Sequence, residues 1–239
     1  VASLVASSLS GLKVQDIVDL NKCIRSVKAA ASLKIRIQGI PIQDLCWGVV
    51  TDASYANAAK GKSQGAFAVI AYHQDMLHHG QGVCNLMHWR SGKIHRVVNS
   101  TLAAETQSFS RGLAELSWTV TVFNEFMSRD FRLKDWEESA KQRRLSAVMS
   151  DETCEELKTG VGIVDAKSLF DHLSKETVGT TSDKRTALEM QVIRQALAET
   201  GTQIRWVPHP SMVVDALTKR SGNTTPDRKS TRLNSSHVK

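Results

Sequence analysis

Apolar residues recur at three- and four-residue steps from Gln15 to about Lys34 (Ile17, Leu20, Ile24, Val27, Ala31), a spacing that predicts a helix. Gly39 and Pro41 break the pattern. Three short apolar runs follow: Leu45 to Thr51, ending at Asp52; Ala66 to Tyr72; and Val83 to Trp89, closing at Ser91-Gly92. A small-residue loop, Ala53 to Gly65, is expected between the first two, and the three runs read as strands of an antiparallel meander.

A long helix comes next. Ser100 or Thr101 can cap it, and Leu102, Thr106, Phe109, Leu113, Leu116, Val120, Phe123 and Met127 form its apolar stripe. Residues 130–156 are charged and lack a strong period, as a solvated insertion would. Val161 to Asp165 reads as a buried strand running into a helix over Lys167–Leu173. Arg185 to Thr200 is a further helix, with Leu188, Val192, Ile193 and Leu197 expected inward. A strand over Gln203–Val207 and a short helix over Ser211–Lys219 close the pattern.

This order predicts an α/β fold, a mixed five-stranded sheet with helices on both faces. A strand-helix-strand crossover needs parallel neighbours, and the first and fourth strands are the natural central pair. Their carboxyl ends, Asp52 and Asp165, then lie side by side where open α/β sheets gather their active sites. Glu105 sits on the inward side of the long helix, and Asp215 is expected one turn into the last. Four converging carboxylates repel one another and raise their own pKa values unless cations occupy the cluster. Hard divalent ions with oxygen ligands, Mg²⁺ first, are the expected guests.

Composition narrows the function classes. The chain has 239 residues, 41% hydrophobic and 23% charged, enough to build a core and unlike disordered or collagenous sequences. No apolar run reaches the roughly 18 residues of a membrane span. Val1–Ser10 is apolar but has neither an initiator Met nor a basic flank, and reads as a fragment start and not a signal peptide. Cys23, Cys46, Cys84 and Cys154 are widely spaced, as buried free thiols of a reducing compartment would be. The net charge is +7. Asp227 to His237 resembles the translation of a sequencing-library adapter, so 223–239 is expected to be a disordered tail.

The segments Val50-Thr-Asp-Ala-Ser54, Asn99-Ser-Thr-Leu-Ala-Ala-Glu105, Gly162-Ile-Val-Asp165 and Trp206-Val-Pro-His-Pro-Ser-Met-Val-Val-Asp-Ala-Leu-Thr-Lys219 resemble the RNase H domain of copia-type retrotransposon polyproteins. The resemblance covers roughly Leu45 to Arg220. It implies an RNase H-like domain over 45–222, preceded by a helical connector, 1–44, that would be the tail of an upstream reverse transcriptase. It also implies an enzyme that cuts the RNA strand of an RNA/DNA hybrid, using two Mg²⁺ (or Mn²⁺) about 4 Å apart, one activating water and the other stabilising the leaving oxygen. The family's metal-binding acids fall on Asp52, Glu105, Asp165 and Asp215, and a loop histidine that shuttles protons in some cellular RNases H falls on His209. Such a protein would reside in a cytoplasmic retroelement particle or the nucleus and would not be secreted. The penultimate helix opens Lys184-Arg-Thr-Ala-Leu-Glu189, where copia relatives usually show Lys-His-Ile-Asp, and the insertion is longer than typical.

Lys62, Arg90, Lys93, Lys167, Lys184, Arg185 and Lys219, with Lys60, Arg96 and Arg220, are candidates to line a duplex groove. His73, His78, His79, His88, His95 and Cys84 fall close together without metal-ligand spacing, as in a polar hairpin. Gly61-Lys-Ser63 has Ala56 where a phosphate-binding loop needs glycine. Trp47, Trp89 and Trp206 read as core. Two other readings use the same residues. A transposase or integrase core shares the fold but takes its third acid from a late helix and leaves the Glu105 position unused. A non-catalytic nucleic-acid-binding or polymerase-tethering module would bind a hybrid without cutting it.

Overall fold

The computed structural model describes residues 5–6, 11–58, 61–127, 129, 132–134, 160–175 and 183–219. Lys60, Cys154, Arg220, the tail over 223–239 and all but 132–134 of the expected insertion lie outside them. The elements are α1 (Val14–Ala29), β1 (Leu45–Ala58), β2 (Lys62–His73), α2 (Asp75–His79), β3 (Cys84–Lys93), α3 (Thr101–Met127), β4 (Val161–Val164), α4 (Lys167–Ser174), α5 (Lys184–Thr200), β5 (Gln203–Trp206) and α6 (Asp215–Thr218).

Five strands form one mixed sheet in the order β3-β2-β1-β4-β5. β1, β2 and β3 are the expected antiparallel meander. β4 lies parallel to β1, with Val50 opposite Ile163, and β5 lies parallel to β4. Continuing the first of these registers by two residues sets Asp52 beside Asp165.

Side chains of alternate parity feed two cores. On one face Val49, Phe67, Val69 and Val164 meet Phe109, Leu113 and Leu116 of α3, Leu169 and Leu173 of α4, and Met190 and Ile193 of α5. On the other, Cys46, Val50, Ile70, Tyr72 and Val161 are covered by Met76 and Leu77 of α2, by Met212 and Val214, and by Leu217 of α6. Helices therefore cover both faces, as the sequence pattern predicts.

Several local expectations change. The loop foreseen over Ala53–Gly65 is mostly strand. Ser54 pairs with Gln64 and Ala58 with Lys62, and the register slips between those pairs, where Ala56 adopts a φ of 55°. Small residues allow that bulge, and a run of them disguises a strand as a loop. The phosphate-loop look-alike is the hairpin's turn: Gly61 has a φ of 67°, and Ser63 Oγ accepts from the Ala56 backbone.

The α1 helix stops at Ala29, and Ile17, Leu20, Ile24 and Val27 of its stripe stay exposed. On α5, Leu188 and Val192 face outward, because the helix lies on Thr186, Met190 and Ile193. Met127 is exposed at the end of α3. Trp47 packs edge-on against Phe123, but Trp89 and Trp206 are exposed, because they lie on the sheet's two edge strands. The histidines do not converge: His73 pairs with Asp44 and Asp75, His78 and His79 lie on α2, and His88 faces Glu115.

Two glycines let the layers approach. A Cβ at Gly112 would sit 2.6 Å from Thr51 Cγ2, and one at Gly162 would sit 2.7 Å from Phe109 Cζ. Such overpacking costs about 1–3 kcal/mol in a close-packed core. Gly162→Ala should lower the urea midpoint accordingly, whereas Gly39→Ala, with nothing within 4 Å of its Cβ, should leave it unchanged. Equal midpoints for the two variants would contradict this packing.

Candidate active site

The acids come from the central parallel pair, although Asp52 lies within β1, which runs on to Ala58, and not at its end as expected. Asp52 is the eighth residue of β1 and is 4% exposed, and Asp165 directly follows β4. Glu105, 8% exposed, comes from the second turn of α3 on its sheet-facing side. Oxygens of these three carboxylates lie within 4.8 Å of one another. Asp215, the first residue of α6 and not one turn in as expected, stands beside the trio and adds its charge to the field at Asp52. The helix predicted over Ser211–Lys219 shortens to α6, preceded by a 3₁₀ turn over His209–Ser211, because Met212 and Val214 turn into the core between them.

Burial and mutual repulsion set the protonation of the cluster. Desolvation first, then Asp52 and Asp165, push the Glu105 carboxyl up to about 9, against a hydrogen bond from the Ala53 backbone. Desolvation, with Asp165 and Asp215, lifts Asp52 to about 6, opposed by the Thr218 hydroxyl and the Lys219 ammonium. Glu105 Oε2 is buried without a hydrogen-bond partner. A buried acceptor of this kind, aimed among carboxylates, suits a bound hard cation or a proton and little else.

The surrounding groups hold the acids in place. Thr218 Oγ1 donates to Asp52 Oδ2. Its own helix is anchored because Leu217 and Thr218 carbonyls accept from the side chains of Ser91 and Asn57. Ser108 Oγ lies 2.9 Å from the Asp52 carbonyl oxygen and 3.1 Å from that of Ala66, tying α3 to the β1–β2 pair beside the cluster. The Trp206 indole donates to the Asp165 carbonyl at 2.9 Å. The sequence alone assigns no role to Ser91, Asn57 or Thr218, although Thr218 lies within the Trp206–Lys219 segment that carries the resemblance. Thr218 has a readable signal, standing three residues after Asp215 and so on the same face of a helix.

His209 lies in the 3₁₀ turn with Nδ1 2.7 Å from Asp165 Oδ2 and Nε2 3.4 Å from Asp215 Oδ1. Lys219 places its ammonium 2.6 Å from Asp215 Oδ1 and 3.0 Å from His209 Nε2, at the acids and not along an outer groove. Lys167, the first residue of α4, pairs with Asp171 and lies over the rings of Phe170 and Trp206. Lys184 and Arg185 are exposed at the start of α5, Lys62 is half-buried at the start of β2, and Arg96 pairs with Glu189. Arg90 and Lys93 lie on β3.

No family model and no curated protein matches the chain. Among solved structures it is similar to LC11-RNase H1, isolated from compost by a metagenomic approach, at 11% identity over 72% of this chain and 91% of that one, with a TM-score of 0.42. It is similar also to the N-terminal RNase H domain of a Mycobacterium tuberculosis protein, at 12% identity over 73% and 91%, TM-score 0.39. A third similarity is to the protease-reverse transcriptase of prototype foamy virus, at 9% identity over 84% of this chain and 21% of that one, TM-score 0.34.

The raised carboxyls carry a sign for stability. A carboxyl whose folded pKa exceeds its unfolded value stabilises fully below the unfolded value and loses that contribution as pH rises through the folded one. For Asp52 the window runs from 3.8 to about 6, and for Glu105 from 4.5 to about 9. In EDTA the chain should therefore lose stability steadily from pH 4 to 9 in denaturant titrations. Glu105→Gln should flatten the part above pH 6 and be the more stable protein at pH 8. A variant with an unchanged slope would contradict the assignment.

Proposed function

We propose that this chain is the RNase H domain of a copia-type retroelement polyprotein, hydrolysing the RNA strand of RNA/DNA hybrids during reverse transcription. The observation that carries the reading is the trio Asp52, Glu105 and Asp165, the first two buried and the third half-buried, with oxygens within 4.8 Å and one acceptor left unpaired. An all-carboxylate donor set of this kind fits Mg²⁺, with Mn²⁺ as a substitute, better than softer ions. Asp52, Glu105, Asp165 and Asp215 would hold the ions. Bound there, two divalent ions supply an activated water and stabilise the leaving oxygen.

The chain's own residues do the rest. Thr218 orients Asp52, and the Trp206 indole fixes the backbone of Asp165. His209, within reach of two of the acids, can carry a proton on Nδ1 or Nε2 at the rim. Lys62, Arg90, Lys93, Lys167, Lys184, Arg185 and Lys219 offset repulsion between the acids and the phosphates. RNA would be distinguished by contacts to its 2′-hydroxyls. Residues 1–44, with the exposed apolar stripe of α1, would join the domain to its polymerase within a cytoplasmic particle. Glu105 inside the acidic cluster favours this reading over an integrase core.

Cleavage of an end-labelled RNA/DNA hybrid tests it, in Mg²⁺ and in EDTA, with single-stranded RNA and duplex DNA as controls. The wild-type chain should cut only the hybrid and only with metal. Asp52→Asn and Asp165→Asn should each lower the rate by at least about 10²-fold, the order of loss when one charge-stabilising group leaves an active site. A folded, hybrid-binding wild type that does not cut would leave the tethering module standing. Cutting unaffected by both variants would remove the acids from the chemistry.

A further inference from the structure

A line of polar side chains crosses the sheet where the pattern around it is apolar. Asp52, Ala66 and Ser91 stand opposite one another in a single row across β1, β2 and β3, and so share the face that α6 covers. Gln64, two residues before Ala66, lies on the same face as the diagonal neighbour of Ser91. It is fully buried, and a carboxamide out of water is tolerated only where hydrogen bonds offset the loss. Its Nε2 donates to Ser91 Oγ at 2.9 Å. A serine hydroxyl has one hydrogen to give. With the Gln64 amide on its oxygen, Ser91 directs that hydrogen to the Leu217 carbonyl of α6.

The receiving helix cannot hold itself. Four residues are too few to satisfy their own last carbonyls. Ser91 holds the carbonyl of Leu217 from β3, and Asn57 Nδ2 holds that of Thr218 from β1 at 2.6 Å. Two successive peptide units are thus gripped from two strands. The grip matters because the Thr218 hydroxyl has one hydrogen and two acceptors in reach. One is Asp52 Oδ2, and the other is the Asp215 carbonyl three residues back, at 3.0 Å. The backward bond is the one a threonine makes in an unrestrained helix end.

We infer that Gln64 and Ser91 are positioning residues of the acidic site: acting through α6, they keep the Thr218 hydroxyl on Asp52 and so set how tightly the site takes a divalent cation. A carboxylate already ordered by a hydrogen bond presents its free oxygen to an ion without first losing rotamer freedom. The inference rests on the metal-site reading for the ion, but one arm of its test needs no metal.

That arm follows the Asp52 carboxyl ¹³C signal by NMR in the metal-free full chain at pH 7.5. The other is calorimetric titration of Mg²⁺ into the same samples. Wild type is compared with Gln64→Met, Ser91→Ala, Ser91→Thr, Thr218→Val and Ser91→Ala/Thr218→Val. Thr119→Ala, which removes a hydroxyl bonded to the Glu115 carbonyl within α3, controls for loss of a hydrogen bond elsewhere. Circular-dichroism melts check that each is folded. Gln64→Met and Ser91→Ala should move the Asp52 signal in the direction that Thr218→Val moves it. Both should weaken Mg²⁺ binding about tenfold, the order of loss when the partner of a metal ligand is removed. Ser91→Thr keeps the hydroxyl and should stay near wild type, as should Thr119→Ala. The double variant should bind no more weakly than Thr218→Val alone, because the two residues act in one line.

An Asp52 signal unmoved in folded Ser91→Ala and Gln64→Met would overturn the proposal. So would losses that add in the double variant, or a wild-type Mg²⁺ affinity retained despite a moved signal. Should Gln64→Met fail to fold, Ser91→Ala against Ser91→Thr decides the matter. A chain that binds no Mg²⁺, in which Ser91→Ala still moves the Asp52 signal as Thr218→Val does, would uphold the positioning and sink the cation site.

Discussion

Everything near the centre of this molecule answers to one electrostatic constraint: carboxylates have been gathered out of water beside one another. The parallel pairing of β1 with β4 sets Asp52 next to Asp165, and α3 adds Glu105 from above. Burial in such company favours the protonated forms, which is why Asp52 and Glu105 are pushed up. Left alone, the cluster destabilises the fold that builds it. The surrounding structure supplies compensation in pieces: a hydroxyl from Thr218, a backbone amide from Ala53, and an ammonium from Lys219. None of these reaches Glu105 Oε2. That residual deficit is the strongest physical reason to read the cluster as a cation site, since function is where folds tolerate such a cost.

The fold meets the constraint by close approach and by stapling. Gly112 and Gly162 let α3 and β4 come within van der Waals contact of their neighbours, and Ser108 bonds α3 to the very strand that carries Asp52. The last segment matters just as much. It crosses the second face of the sheet with Met212 and Val214 fully buried, then turns so that Asp215, Thr218 and Lys219 all reach the acids. A four-residue helix has little stability of its own, and α6 holds its place through side chains of Asn57 and Ser91 bonded to its terminal carbonyls.

Much of this was legible in the residues. Apolar periodicity located all five strands and α3, α4 and α5, and the crossover rule alone identified β1 and β4 as the central parallel pair. With the pair known, Asp52 and Asp165 had to be neighbours. The failures have physical causes. The continuation of β1 through Ala53–Ala58 carries small residues whose pairing is decided by β2 and not by their own propensity. The orientation of α5 depends on which neighbour it meets, so Leu188 and Val192 could not be told from Met190 and Ile193 by spacing. The partners of the acids are long-range hydrogen bonds, Thr218 to Asp52 and Asn57 to Thr218, which no local pattern announces. Charge says nothing about direction, so the turn of Lys219 inward to Asp215 is not legible either.

These acids are proposed to hold a divalent cation. Calorimetric titration of Mg²⁺ into the metal-free chain at pH 7.5, repeated in buffers of different ionisation enthalpy, tests it directly. With Glu105 pushed up to about 9 it carries a proton at that pH, whereas Asp52, near 6, has mostly lost its own. Saturable binding accompanied by release of about one proton, and loss of that release in Glu105→Gln, is therefore the expected result. A folded chain that shows no saturable binding, or binds Mg²⁺ with no proton released and no change in the variant, would contradict it.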